Sequence, residues 1–392
     1  MNCHRSVSSE LPVKPADFRA LLLGIILTLA FLYPWSAGFP AEGVHQGASP
    51  YRIEATRWEA AEKIFRSDPR WLGGDGASSI DLGHGRVLWL FGDSFINLSG
   101  SGARRTSDLV RNSIAIQTGY DPTRASIKFA WKMKGGKPAA FFARQGENWF
   151  WPASGIMVGK RLLIFLMEIG TAANELGFEA RGWKAVLINN PQEEPGRWIL
   201  TYLKSPQRQS LIVGSGNPLL ENGFLKVFAA DGKDRAVYLV RWPERSARAG
   251  TLTSPQWWAG EKAGWVGSLA GQEELRHIIA DGQTEFTVEY RPRLQNYLQI
   301  QTLSIMNPCV AMSAAAAATG PWSRQVCFFT PPEQGRPDLL IYAGKSHPML
   351  RGAEMAFTYV VNTTKEERLL NDMTIYFPAM VKGRITADGA TQ

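Results

Sequence analysis

Between Arg86 and Phe91 the chain reads RVLWLF, placing Val87, Trp89 and Phe91 on one face of an extended strand and Leu88 and Leu90 on the other. A strand apolar on both faces has to be covered on both, which restricts the chain to stacked or layered sheets. It is preceded by a second strand, residues 77–82, across Gly83-His84-Gly85, a short hairpin connection rich in glycine. The plan recurs. Residues 155–158 and 162–167 form a hairpin about Gly159-Lys160-Arg161, and residues 184–188 pair with 198–203. Residues 225–230 and 236–242 flank Asp231-Gly232-Lys233-Asp234, a strong turn signal. Residues 284–290 alternate apolar and polar and pair with 298–303, and strands at 339–343 and 355–362 complete the series. About five such hairpin units predict an all-β chain folded as a five-bladed β-propeller, with a two-sheet β-sandwich as the alternative. The propeller accounts better for acids recurring at strand ends, because the inner strands of successive blades converge on one axis.

Composition agrees with many short strands and turns: 14 Trp, 38 Gly and 23 Pro in 392 residues. The net charge of +8 is scattered, without a basic run of five or more, which argues against nucleic acid as a partner and suits an anionic cell surface. Three regions depart from the hairpin plan. Residues 119–146 are rich in loops, residues 244–282 resemble an insertion packed by Trp257, Trp258 and Trp265, and residues 51–58 form a first strand before a short helical turn.

At the N-terminus Arg5, Lys14 and Arg19 precede the apolar run ALLLGIILTLAFLY at residues 20–33, followed by Pro34 and small residues. That order fits a secretory signal peptide over residues 1–41, or an uncleaved membrane anchor through residues 20–37, leaving residues 42–392 as one propeller domain. Either predicts an extracytoplasmic body, periplasmic, secreted or held at the membrane. Cys309 and Cys327 would then be able to form a disulfide around Gly320-Pro321-Trp322, or remain buried thiols.

Asp75 lies among Gly73, Gly74 and Gly76, and Asp93 leaves the end of the strand apolar on both faces. A carboxylate in such a place needs a partner or a reaction, although aspartate also caps tight turns. Glu168 leaves the second hairpin in the same manner, and Glu285 opens a later strand on a face shared with Glu289. No phosphate-cradling loop, HExxH or paired-cysteine zinc spacing is present, so no cofactor or metal is expected.

The ordered set GGDGASSI, LWLFGDSF, VRNSIAI, FWPASG, TEFTVEY, TGPWS, KSHPML and TYVVNT, over residues 71–378, resembles the five-bladed β-propeller glycoside hydrolases related to the endo-D-arabinofuranases. The resemblance implies an exported hydrolase of furanosidic, arabinan-like linkages in cell-envelope or environmental polysaccharide. Glycoside hydrolysis needs two carboxyl groups whose pKa values are pushed apart. Asp75 matches the first-blade aspartate and is the candidate base or nucleophile, Asp93 a second active-site carboxylate, and Glu285 the acid, with Glu168 its rival. Arg111, Asn112 and His347 are candidates for binding sugar hydroxyls, and Trp149, Trp151 and Trp322 for stacking on sugar rings. The alternative is a propeller that binds carbohydrate without cleaving it.

Overall fold

Each blade is an antiparallel sheet whose first strand, in chain order, lies at one edge. The first blade comprises Ser78–Gly83, Arg86–Phe91, Ser113–Thr118 and Ser126–Ala130, and the second Trp149–Val158, Arg161–Thr171, Phe178–Ile188 and Leu200–Tyr202. The third carries Leu211–Val213, Phe224–Asp231, Val237–Pro243 and Gln256–Trp258, extended by Trp265–Gly267. Thr287–Arg291, Asn296–Thr302, Val310–Ala315 and Val326–Phe329 make the fourth. The fifth takes Leu339–Ser346, Met355–Thr363 and Pro378–Ala387, and its outermost strand is Tyr51–Arg57 from the other end of the chain. This computed structural model describes residues 47–174, 177–206, 210–267, 275–304 and 308–387. The expected leader, residues 1–41, lies outside them.

The strands that are apolar on both faces are explained by stacking. Leu88 and Leu90 pack with Leu162, Ile164 and Leu166 of the second blade, while Val87, Trp89 and Phe91 pack with Ala356 and Met380 of the fifth. In the second blade the alternation repeats, with Leu163 and Phe165 turned toward Val227 and Val240 of the third. Phe228 and Leu239 of the third meet Val288 and Tyr297 of the fourth, and Leu298 and Ile300 of the fourth meet Ile341 and Phe357 of the fifth. Five apolar interfaces, counted among the described residues, therefore join five blades into a closed ring: the expected five-bladed β-propeller.

A ring of hydrogen bonds follows the same circuit nearer the axis. Ser78 donates to the Ala153 carbonyl (2.6 Å), Ser154 to that of Gly214 (2.6 Å), and the Phe286 amide to that of Ser215 (3.2 Å). The Thr287 and Ser346 hydroxyls lie 2.8 Å apart, and the Ser79 hydroxyl lies 2.6 Å from His347 Nδ1. Each link joins residues in, or within two positions of, the first strands of adjacent blades. Small polar residues at these positions let first strands approach closely while satisfying the buried backbone.

Several segments differ from the sequence reading. Residues 51–58 do not begin the first blade, because Tyr51–Arg57 pairs in register with Pro378–Ala387 and closes the ring. The region of residues 119–146 contains the outermost strand of the first blade and a hairpin of Lys132–Lys134 with Lys137–Ala139. Residues 244–267 are no separate insertion, since after a short helix, Glu244–Ala249, they supply the outer strands of the third blade. Cys309 and Cys327 are bonded to each other, fastening the outermost strand of the fourth blade to the strand inside it.

Candidate active site

Asp75 stands where a small sheet of Trp71–Gly74, Ser94–Ile96 and Asp108–Val110 hands the chain to the first blade. Glycine is needed at two contacts here. Gly73, at φ +117°, presses against the Tyr376 carbonyl, where a Cβ would collide. Gly92 faces Asp75 Oδ1 in the same manner, and its amide donates to the Asp75 carbonyl (3.0 Å). Asp75 is half-buried as a whole residue, and its Oδ2 accepts a hydrogen bond from the Tyr342 hydroxyl (2.9 Å).

Asp93 follows one residue after Gly92 and is 2% exposed. Trp151 Nε1 donates to its Oδ1 (2.9 Å), Arg111 donates to its Oδ2 (3.3 Å), and the Tyr376 hydroxyl donates to its carbonyl (3.0 Å). Tyr376 holds a left-handed φ of 63°, rare for an aromatic residue. Its loop is anchored by buried Arg104, which donates to the carbonyls of Leu369, Asp372 and Ile375 and, across the loop, of Leu72.

Glu285 arrives from the opposite side of the ring, two residues before the first strand of the fourth blade. Its Oε1 accepts a hydrogen bond from Lys345 Nζ (2.6 Å), and the same ammonium donates to the Gly76 carbonyl (2.5 Å). Lys345 is 1% exposed, whereas the Glu285 side chain is 28% exposed. The strand face shared with Glu289 is not solvated: Glu289 is buried and paired with Arg291, because Thr287–Arg291 is a first strand turned toward the axis.

Among the described residues three carboxyl groups thus share the site with two cations. Asp93 has Arg111 and Glu285 has Lys345, but Asp75 has only a phenol. Burial, then the charges of Asp93 and Glu285, push the Asp75 pKa up to about 8 against the Tyr342 hydrogen bond and the more distant Lys345. Burial also raises the Asp93 pKa, opposed by Arg111 and by the Trp151 hydrogen bond. Asp75, raised furthest of the buried acids here and touched by no cation among the described residues, is the carboxyl best suited to hold a proton, as general acid–base chemistry requires of one member of a pair.

Among the other candidates, half-buried Trp151 bonds Asp93, whereas Trp149 is buried in a small core cluster with Arg111 packed 4.4 Å from the centre of its ring. Three candidates sit elsewhere. Asn112 is buried, with its amide nitrogen donating to the Phe142 and Phe150 carbonyls and its oxygen accepting from the Phe142 amide. Trp322 is fully buried between the third and fourth blades, where no sugar ring reaches. His347 is buried between the Ser79 and Thr358 hydroxyls against the Trp89 ring, and burial then nearby Lys345 lower its pKa to about 3, so it stays neutral and links the fifth blade to the first. Glu168 pairs with Asn148 and Lys184 instead of joining the cluster. Sequence reasoning passed over Tyr342, Lys345 and Tyr376, whose only signal was a lysine and two phenols near strand ends. Among the described residues no three His, Cys, Asp or Glu side chains are arranged to hold a metal ion.

Residues 59–381 match the model of a family described as "Domain of unknown function (DUF5005)". The crystal structure of a provisionally assigned hydrolase from Bacteroides ovatus ATCC 8483 superposes with a TM-score of 0.68 at 14% identity, over 88% of this chain and 93% of that one. An endo-arabinase from Bacteroides thetaiotaomicron VPI-5482 gives 0.41 at 14% identity over 82% and 95% of the two chains. The catalytic domain of a Coprinopsis cinerea GH62 alpha-L-arabinofuranosidase gives 0.44 at 9% identity over 86% and 98%. No protein with a curated description matches the chain.

Proposed function

The chain belongs to the DUF5005 family, and from that premise and the geometry of its axial site we propose that it is a glycoside hydrolase acting on furanosidic, arabinan-like linkages of polysaccharide. The observation that carries this reading is the convergence of Asp75, Asp93 and Glu285 from separate segments, with Asp93 and Glu285 each paired to a cation and Asp75, among the described residues, touched by none. Glycosidic cleavage asks for such a pair: one carboxyl to protonate the leaving oxygen, another ionised to activate water or attack the anomeric carbon. Burial and its two acidic neighbours raise the Asp75 pKa, which suits it to donate the proton. Glu285, paired with Lys345 and partly exposed, is suited by position to act as base or nucleophile, which exchanges the roles expected from sequence. Asp93 holds the charge balance. Arg111 and Trp151 would meet the sugar, the indole suiting stacking and the guanidinium suiting hydroxyls.

The body would act outside the cytoplasm. The apolar run at residues 20–33 behind basic residues supports export or anchoring, and the Cys309–Cys327 bond suits an oxidising compartment.

Release of reducing sugar from a panel of arabinans, arabinogalactan and other furanoside polymers, by the protein and by its Asp75→Asn variant, tests the proposal. Product from the unchanged protein with a loss of about a thousandfold in the variant is expected, within the range a positioned acid or base contributes. Saturable glycan binding with no product from either would replace the hydrolase by a carbohydrate-binding propeller.

A further inference from the structure

The first strand of the fifth blade, Leu339–Ser346, lies in the ring between the blades that supply Glu285 and Asp75, and it is irregular at that point. Tyr342 pairs with Val360 and Lys345 with Thr358, so three steps along one strand match two along the other. Ala343, at φ 55°, belongs to this β-bulge. Residues three apart ordinarily point to opposite faces, and the extra residue brings Tyr342 and Lys345 to the same face. Gly344 fits beneath them because a Cβ would strike the backbone of Gln301 and Thr302.

We propose that Tyr342 and Lys345, brought together by this bulge, are positioning residues that decide which carboxyl of the cluster carries the proton. The inference rests on the hydrolase reading of the site and deepens it. Lys345 spans two blades, with one ammonium donating to the Gly76 carbonyl beside Asp75 and to Glu285, and so sets its positive charge directly against Glu285. Tyr342 donates to Asp75 Oδ2 and accepts from Asn362 Nδ2 (3.2 Å), which fixes the direction of its hydroxyl. With Oδ2 occupied as an acceptor, the Asp75 proton belongs on Oδ1, the oxygen beside Gly92. The titratable and charged groups facing the two acids are Asp93, Arg111, Tyr342, Lys345 and Tyr376, with His347 beside Lys345. Only Lys345 among them touches Glu285, and only Tyr342 touches the Asp75 carboxyl, among the described residues.

Tyr342→Phe and Lys345→Met test the assignment in two ways. The first is the pH profile of kcat/KM on a polymer the protein cleaves. Removing the ammonium is expected to move the limb belonging to the ionised partner upward by about one pH unit or more, and removing the hydroxyl to move the Asp75 limb upward by a similar amount, each with a fall in kcat of about tenfold or more and little change in KM. The second needs no substrate: NMR titration of carboxyl carbons labelled in aspartate and glutamate, with Asp75→Asn and Glu285→Gln identifying the signals. Midpoints that move as stated support the proposal even if no polymer is cleaved, in which case only the hydrolase reading falls. Midpoints unchanged in variants that melt like the unchanged protein would overturn it. Should Lys345→Met not fold, Tyr342→Phe, which deletes a single hydroxyl, decides the Asp75 half, and its unmoved midpoint alone defeats the proposal.

Discussion

At the scale of single residues, Asp75 trades stability for chemistry. Its carboxyl holds a proton in the folded chain until about pH 8, whereas an unfolded aspartate releases it near 3.8. The folded state therefore binds more protons across that interval, and stability due to this group is fully present below pH 4 and lost as pH rises to about 8. Asparagine cannot ionise and can still accept from Tyr342. Asp75→Asn is thus expected to melt with the unchanged protein near pH 4 and several degrees above it at pH 9, read by melting temperature across that range. Activity should follow the same group: with Asp75 as proton donor, kcat/KM falls as pH rises through about 8, and a rise there would return Asp75 to the role of base. Both aspartates were legible in the sequence because an acid beside glycine or at the end of a strand apolar on both faces has few structural excuses. Tyr342 and Lys345 were not, since their convergence depends on a bulge that no local pattern announces. His347 and Trp322 drew attention by residue type, while their places in the ring and the core depend on neighbours far along the chain.

At the scale of elements, the outer strands are held less firmly than the inner ones. Val326–Phe329 has exposed or half-exposed side chains throughout, and its register against Val310–Ala315 shifts once. The disulfide compensates by fastening Cys327 to Cys309 across 18 residues of sequence. A closure of that length contributes roughly 3 kcal/mol through the entropy of the unfolded chain. Replacing both cysteines with serine is expected to lower the melting temperature by a few degrees, with amide exchange quickened most along Val326–Phe329 and least in the strands nearest the axis. Exchange quickened evenly throughout the fourth blade would mean that its strands open together. Hairpins were legible wherever glycine connections and apolar alternation coincided, as at residues 77–91. The outermost strand of the first blade was missed because SIKFA turns polar residues to solvent and looks like loop, and the outer strands of the third blade were read as an insertion because tryptophans stand among charges.

At the scale of the whole molecule, closure decides whether five sheets become one ring. The circuit of five apolar interfaces and hydrogen-bonded links closes only where the fifth blade meets the first, through Trp89 against Ala356 and Met380 and through Ser79 against His347. That blade is complete only when Tyr51–Arg57 pairs with Pro378–Ala387, residue against residue from Tyr51 and Ala387 to Arg57 and Val381. Sequence reading recovered the blade number but not this closure, because pairing between the two ends of a chain leaves no local signature. Ile53 inserts into the cluster shared by the fourth and fifth blades, and Arg57 bonds with Glu62, Glu333 and Tyr359. Removing residues 1–58 would strip these contacts and leave Pro378–Ala387 as an unpaired edge, open to pairing with other chains. Compared with a body beginning at residue 42, the shorter protein is expected to melt at least about 10 °C lower and to form concentration-dependent aggregates, measured by calorimetry and light scattering. Because Tyr376 and the Tyr342–Lys345 strand belong to the same blade, any hydrolysis should fail with closure and not after it. A truncated protein that stayed monomeric and melted unchanged would show that four blades and an unfinished fifth suffice to hold the ring.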